Sequence, residues 1–380
     1  MGRKNVVYVG HDDGHYGQKL AIEPGVVSHC PITKDALDPS AIFEFMMPSR
    51  VAIGAIAGNA VLETDDKNVY EVTYVLGATT VTERYTVVGE EASSLQVMDT
   101  RSKEFPVSGG LIALIYHSLY LAGLGGKEVN LTTGLPYDRF YLPGGLKNDE
   151  LINRKTKHIL SAKVRNLNPK VVLPIIVDHQ VAPEGVVGHV DMLVSDLGKI
   201  NHEYFSNLKL APIGFVDIGG NTTDVVVIKQ GGVDMDHQRS FTITAGGLHV
   251  ETDIEKDLRS QTHPDIKLDP GYILPRSTME QLARTGKIRM RGKTIDLSDS
   301  LVTPAKRTQA TRIMNDIRAK MKGANDLDGI FLIGGGSLLL ADEIKNQMSE
   351  DTNITLVENG EFANARGMLK KTLYLDMDEA

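Results

Sequence analysis

The sequence predicts an α/β protein made of two related domains, and three observations carry that expectation. Residues 214–229, GFVDIGGNTTDVVVIK, read as strand, tight polar turn, strand. Residues 5–22 repeat the same design near the start of the chain. Elsewhere short β-branched runs alternate with segments of helical period, the pattern of an α/β chain. A chain of 380 residues has room for two or three domains of ordinary size.

In the later hairpin, Phe215 and Val216 lead in and Val225, Val226, Val227 and Ile228 lead out. β-Branched and aromatic residues of this kind favour strands. The turn holds Gly219, Gly220, Asn221, Thr222 and Thr223 between Asp217 and Asp224. Glycines let a backbone approach a ligand with no Cβ in the way, and successive N–H groups in such a turn converge on an anion. The two threonine hydroxyls add donors. A carboxylate such as Asp217 beside a phosphate-cradling turn is where hydrated Mg²⁺ is held. The bland alternative is an ordinary Asn/Gly hairpin facing solvent.

The earlier hairpin has the tip Asp12, Asp13, Gly14, His15, Tyr16, Gly17, Gln18, Lys19, with strands over 5–10 and 19–22. A surface turn does not explain Lys19, which could meet a phosphate as a point charge. Two phosphate-type hairpins, one at Asp13 and one at Asp217, imply two similar domains facing each other across a nucleotide.

The remaining elements follow in order. Residues 38–99 contain short alternating runs and form an inserted β-rich subdomain, with Glu63, Asp65 and Asp66 as a solvated acidic turn. Residues 107–123 are helical, with Leu111, Leu114, Ile115, Ser118, Leu119 and Ala122 at three-to-four spacing. Residues 128–134 form a strand, 148–167 a polar helix, and 171–177 a buried strand. That strand runs into a polar segment, Asp178, His179, Gln180 and Glu184, well placed for a site. Residues 231–244 give two short strands, and a helix opens with Gly246 and Gly247 over 245–258. Residues 259–305 are charged and rich in turns, and 304–322 is a basic amphipathic helix whose charged face is solvated. Residues 328–339 are strand then turn, with Gly334, Gly335, Gly336 and Ser337 placed to pass a flat ring or to pack a helix on a sheet. A helix over 341–349, a strand at 355–357 and a last helix complete the chain.

Composition sets limits on partners. The net charge of −8 gives no general electrostatic footprint for direct nucleic-acid or membrane binding. Cys30 is the only cysteine, so no intrachain disulfide framework exists and a reducing cytoplasm is the expected location. The first residues lack the apolar stretch of a signal peptide, and Val6 stands where a myristoylation signal has Ser or Thr. The longest apolar run, 110–124, is broken by His117 and Ser118 and reads as a core helix.

Taken in order, DDG with Lys19, a Gly-rich helical segment, DIGGNTTD, GG before a helix, IGGGS and EFANARG resemble the actin, heat-shock chaperone and sugar-kinase ATPase superfamily. Within it, LPYDRFY at 135–141, NDELINRKTKH at 148–158 and EFANARG at 361–367 are similar to the ParM/StbA plasmid-segregation actins. The resemblance spans residues 12–367, although 259–305 matches no part of that pattern. It implies an actin-like fold: two α/β domains, each a five-stranded mixed sheet with helices, around a nucleotide cleft. Domain I would comprise 1–211 and 340–380 with the insertion 38–99, and domain II 212–339 with the insertion 259–305. Mg-ATP, turned over to ADP, would bind in the cleft. Because base recognition by Gly246, Gly247, Gly334, Gly335, Gly336 and Ser337 would be led by backbone, GTP is the alternative nucleotide.

In that reading the turns Gly14, His15, Tyr16, Gly17 and Gly219, Gly220, Asn221, Thr222, Thr223 donate N–H groups to phosphate, each fixed donor lowering the barrier by about 3 kcal/mol. Asp13 and Asp217 hold Mg²⁺ through waters, and Lys19 contacts phosphate. Gln180 positions the attacking water, because Gln180-x-x-Pro183 resembles the family's Glu/Gln-x-x-Pro; Glu184 and Asp178 are the alternatives. The resemblance further implies filaments that assemble on ATP and weaken on hydrolysis. A ParR-type adaptor would link them to plasmid DNA, which the chain touches only indirectly, and no membrane partner is expected. Two other functions compete: a non-polymerising ATPase of the same fold (small-molecule kinase or chaperone-like), and a nucleotide-sensing scaffold with little turnover.

Overall fold

Gly10 sits at the centre of the first sheet because nothing larger fits: a Cβ there would lie 1.9 Å from the carbonyl oxygen of Ala365 on the helix that crosses it. That contact belongs to the first of two compact units in the computed structural model, residues 1–205 with 362–380. The second unit is 206–361. The structure describes residues 6–54, 68–88, 97–260, 266, 268, 271–272, 274–321, 326–348 and 353–376. The acidic turn at Glu63, Asp65 and Asp66, and residues 1–2, lie outside these.

In the first unit, β1 (Val6–Asp13), β2 (Gly17–Ile22) and β3 (Phe43–Pro48) form an antiparallel meander. β4 (Val51–Ile53), β5 (Val69–Leu76) and β6 (Thr79–Val87) build a separate small sheet. The insertion therefore begins after β3, which pairs with β2 in the main sheet, and not at 38. Helix α1 (Gly109–Leu121) is capped by the Ser108 hydroxyl, which accepts from Leu111 N–H. It opens on Gly109 because a Cβ there would meet the rings of Tyr74 and Tyr85 at 2.6–2.7 Å. β7 (Glu128–Leu135) runs parallel to β1; α2 (Tyr137–Phe140) and α3 (Asp149–Ser161) follow. β8 (Lys163–Asn166) closes the small sheet, so the polar helix stops at Ser161 and not at 167.

β9 (Ile175–Pro183) is the parallel edge strand of the main sheet, whose order is β3-β2-β1-β7-β9. Here the sequence reading needs correction. Residues 171–174 are not strand, Val172, Ile175 and Val177 are exposed, and the strand runs on through Gln180 to Pro183. An edge position covered on one side only explains how a hydrophobic run can remain exposed. α4 (Val186–Leu193) and α5 (His202–Leu208) end this stretch, the division between units falling within α5.

In the second unit, β10 (Ile213–Ile218) and β11 (Thr223–Ile228) form the hairpin, fully buried along both strands. β12 (Phe241–Ile243) adds to β11, the one strand formed where two were expected. α6 (Gly247–Arg259), α7 (Arg276–Thr285), the hairpin β13 (Lys287–Met290) and β14 (Lys293–Asp296), and α8 (Thr303–Met321) follow. β15 (Gly329–Ile333) pairs parallel with β10, then come α9 (Ser337–Lys345) and β16 (Ile354–Leu356). The sheet order is β12-β11-β10-β15-β16. Strand for strand this repeats the first sheet: an antiparallel three-strand meander, then two parallel strands beside its first member. The second unit runs past 339 to Glu361, since β16 pairs with β15. α10 (Ala363–Lys370) then packs on β1 in the first unit. No helix among the described residues is long and apolar enough to cross a membrane.

Candidate functional site

In the first unit the β1–β2 turn shows an ordered use of its carbonyls. Gly14 O accepts from the Ser49 hydroxyl, His15 O from the Thr100 hydroxyl at 3.1 Å, and Tyr16 O from Ser49 N–H at 3.1 Å. Gln18 Nε2 in turn donates to Ser49 Oγ at 2.7 Å, and the His15 ring contacts Thr100 O at 2.5 Å. Three successive carbonyls are thus tied outward. A trans peptide points its N–H opposite its C=O, so the N–H groups of the turn are left on the other side, the geometry of an anion-binding nest.

The β10–β11 turn is built the same way from different partners. Ile218 O accepts from Gly336 N–H at 2.7 Å, Gly219 O from Gly247 N–H at 3.0 Å, and Gly220 O from Leu248 N–H at 2.8 Å. Gly246 and Gly336 are glycines for this reason. A Cβ on Gly246 would lie 2.6 and 2.7 Å from Gly219 O and Gly220 O, and one on Gly336 2.8 Å from Gly219 O. Gly334, at φ +82°, leaves room for the Asp217 carboxylate, which a Cβ would meet at 2.3 Å. Ser337 Oγ donates back to Gly334 O at 2.6 Å. Gly247, Gly334 and Gly336 therefore brace the second turn through backbone, and Gly335 is the member of its run left part-exposed with no close neighbour. Thr223, expected as a phosphate donor, spends its hydroxyl on Ala245 O at 2.8 Å and is fully buried.

Asp217 is the penultimate residue of β10, on the face opposite Val216 and Ile218, which enter the second core; Asp224 lies directly across from it. Both carboxylates are buried. Asp224 Oδ1 accepts from the Thr242 hydroxyl at 2.5 Å. In the first unit Asp13 ends β1, and its Oδ2 is 2.7 Å from Lys155 Nζ of α3. Burial works to raise the Asp13 pKa; the Lys155 ammonium outweighs it and holds the carboxyl below its usual value. Lys155 Nζ also donates to Gly134 O at 2.6 Å. Lys19 does not stand free either, pairing with Asp12 Oδ2 at 2.8 Å across the hairpin.

Two histidines lie beneath Asp13. Burial lowers the His11 pKa to about 4 and the His179 pKa to about 3, so both rings are neutral near pH 7. His179 is held between the hydroxyls of Thr133 and Thr156, at 3.0 and 3.2 Å.

Gln180 is set apart from this cluster by register. It pairs with Thr132, which pairs with Gly10, three residues before Asp13 and roughly 10 Å back along the strands. It also shares the face of Thr132, whose hydroxyl meets Thr372 Oγ1 at 2.7 Å on the α10 side, whereas Asp13 faces Lys155 on the α3 side. Asp178 lies further back, next to Asn130. Glu184 is the polar residue at the right level. Its N–H extends the ladder to Leu135 O at 2.9 Å, and its Oε1 occupies the space a Cβ on Gly134 would take, 2.6 Å away.

No set of three or more His, Cys, Asp or Glu side chains that could hold a metal occurs among the described residues. Asp13, with its side chain buried, and Asp217, each a carboxylate beside a turn of inward N–H groups, fit a hydrated Mg²⁺ carried on phosphate rather than one ligated directly by protein.

Residues 215–346 match the family model "Archaeal actin homologue MreB-like, C-terminal". The chain is similar to the cell shape-determining protein Mbl of Bacillus cereus, 29% identical over 153 residues, which is 34% of this chain and 45% of Mbl. It is also similar to an archaeal actin homolog of Thermoplasma volcanium, 24% identical over 154 residues, 40% of this chain and 44% of that protein. Each match thus spans less than half of the relative's length. Among solved structures, the archaeal actin homolog Ta0583 in complex with ADP superposes with a TM-score of 0.67 at 19% identity, over 97% of this chain and 99% of that one. A 15-stranded ParM filament from Clostridium botulinum gives 0.67 at 20% identity, with the same two shares. Bacillus thuringiensis ParM with AMPPNP gives 0.62 at 15% identity, over 99% and 100%. With the duplicated sheets and the hairpins described above, these likenesses show that the chain has the actin-like fold of ParM and the archaeal actin homologues.

Proposed function

We propose that this chain is an ATPase that assembles into filaments on binding Mg-ATP and disassembles after hydrolysis, working in the cytoplasm to segregate plasmid DNA through a centromere-bound ParR-type adaptor. The observation that carries the nucleotide part is the repeated hairpin: each turn has three consecutive carbonyls tied outward. That arrangement suits phosphate and serves no purpose in a solvent-facing turn. Related structures hold ADP and AMPPNP, and a ParM of this fold forms a filament; these support the nucleotide and the self-association.

In residue terms, His15–Tyr16–Gly17 and Gly220–Asn221 present N–H groups to the phosphates. Asp13 and Asp217 orient waters of the Mg²⁺, whose chemistry is to offset phosphate charge. Glu184 takes the place of Gln180 as the residue that orients the attacking water, because of its level along the strands; a carboxylate also accepts the proton that the water gives up. Pelleting and light scattering with Mg-ATP, Mg-ADP and no nucleotide test the assembly. Polymer that requires Mg-ATP is the expected result. A protein that stays monomeric under all three conditions at tens of micromolar overturns it.

A further inference from the structure

Lys155 stands in the first unit's polar cluster with no task in this scheme. Its side chain is 1% exposed, deep on the α3 side of the sheet. An ammonium has three protons to donate. Two are used, on Asp13 Oδ2 at 2.7 Å and Gly134 O at 2.6 Å, and the third has no acceptor among the described residues. A buried ammonium short of one acceptor is costly unless something else supplies an oxygen. The nearby imidazoles do not: His179 is engaged by Thr133 and Thr156. The place is informative too. Gly134 is shared, its carbonyl taking Lys155 and its missing Cβ making room for Glu184. A cation and a carboxylate thereby both border Gly134, near the C-terminal end of β7, a parallel strand of the sheet.

We infer that Lys155 gives its third N–H to an oxygen of the terminal phosphoryl group of the bound nucleoside triphosphate, so that it reads the presence of that group and offsets its charge during hydrolysis. This rests on the nucleotide reading above and adds to it a residue that separates triphosphate from diphosphate. Asp13 keeps the ammonium in place before the ligand arrives, and no proton changes hands at Lys155. A charge-assisted N–H···O bond to phosphate is among the stronger hydrogen bonds, and it exists only with the triphosphate.

The test is calorimetric titration of Mg-ATP and Mg-ADP into wild type, Lys155→Met, Asp13→Asn and the charge-neutral double variant, with single-turnover hydrolysis alongside. The double variant is included because Lys155→Met alone leaves Asp13 buried without its cation, which destabilises the fold. Relative to Asp13→Asn, the double variant is expected to bind Mg-ADP within about threefold, Mg-ATP at least tenfold more weakly, and to lose about 100-fold in rate. If the double variant and Asp13→Asn keep the same ATP-to-ADP affinity ratio and the same rate, Lys155 is only the partner of Asp13 and the inference is wrong. Wild type that binds neither nucleotide would instead sink the functional reading itself.

Discussion

At the scale of single residues, the site is made by positions whose neighbours leave them no alternative. Gly246→Ala puts a methyl group within 2.7 Å of two carbonyls of the β10–β11 turn. Neither is a flexible side-chain end, so the turn must shift, at a cost of about 1–3 kcal/mol. The expected outcome is a loss of nucleotide affinity larger than the loss of stability, read by titration and urea denaturation together. Asp217→Ala should remove the Mg²⁺ dependence of binding; affinity unchanged with and without Mg²⁺ would refute its assignment. Glu184→Gln should slow hydrolysis by about 100-fold while polymer still forms on ATP, and Gln180→Ala should turn over close to the wild-type rate. The reverse pattern would restore Gln180. Protonation offers another residue-scale check. His117 on α1 is buried against the Tyr70 hydroxyl at 2.8 Å, and burial lowers its pKa from 6.5 to about 4. Between those values the unfolded chain binds the proton and the folded one does not, so stability falls as pH drops from 6.5 towards 4. His117→Gln should therefore narrow the gap between urea midpoints at pH 7 and pH 5.

At the scale of elements, α10 shows what the EFANARG stretch does. Asn364 Oδ1 accepts from Gly185 N–H at 3.1 Å, Arg366 grips Asp191 through two nitrogens, and Lys370 reaches the same carboxylate at 2.7 Å. Gly367 lets α10 cross α4, since a Cβ there would lie 1.8 Å from Val187 O. The Asp191 and Glu44 carboxylates outweigh burial and hold the Arg366 guanidinium above its ordinary pKa. Asp191→Asn leaves two buried cations short of their shared anion, so a loss of about 3–5 kcal/mol is expected in urea unfolding. A change under 1 kcal/mol would mean the network is dispensable. The stretch was visible in the sequence as a mark of resemblance, but its work needed α4, nearly two hundred residues earlier. The hairpins were legible because their glycines, β-branched runs and flanking aspartates are local signals. Lys155 was not read, although its spacing from Ile152 and Ile159 sets it on the buried stripe of α3; a lysine there is a signal that composition alone hides. The choice between Gln180 and Glu184 is not legible in the sequence, because a strand's end cannot be located from a hydrophobic run when its edge faces solvent; only register separates the two.

At the scale of the whole molecule, the repeated sheet order gives two units with separate cores. One is built on Tyr70, Leu111, Leu114, Ile115 and Leu119, the other on Val216, Ile218, Val225, Ile254 and Ile313. A chain with two independent cores need not unfold as one, so calorimetry without nucleotide should resolve two transitions. Each unit carries its own phosphate-type turn, and the proposed function has both turns serve one nucleotide. Mg-ATP at about 100 times its Kd adds about 2.7 kcal/mol to the state that binds it, and both transitions should then move up and draw together. Asp217→Ala makes the case decisive. The substitution lies in the second unit alone, yet a shared ligand requires that it abolish the nucleotide response of the first transition as well. If the first transition of that variant still rises with Mg-ATP as in wild type, the turns bind separately, and neither can report the state of the nucleotide to the other half of the molecule.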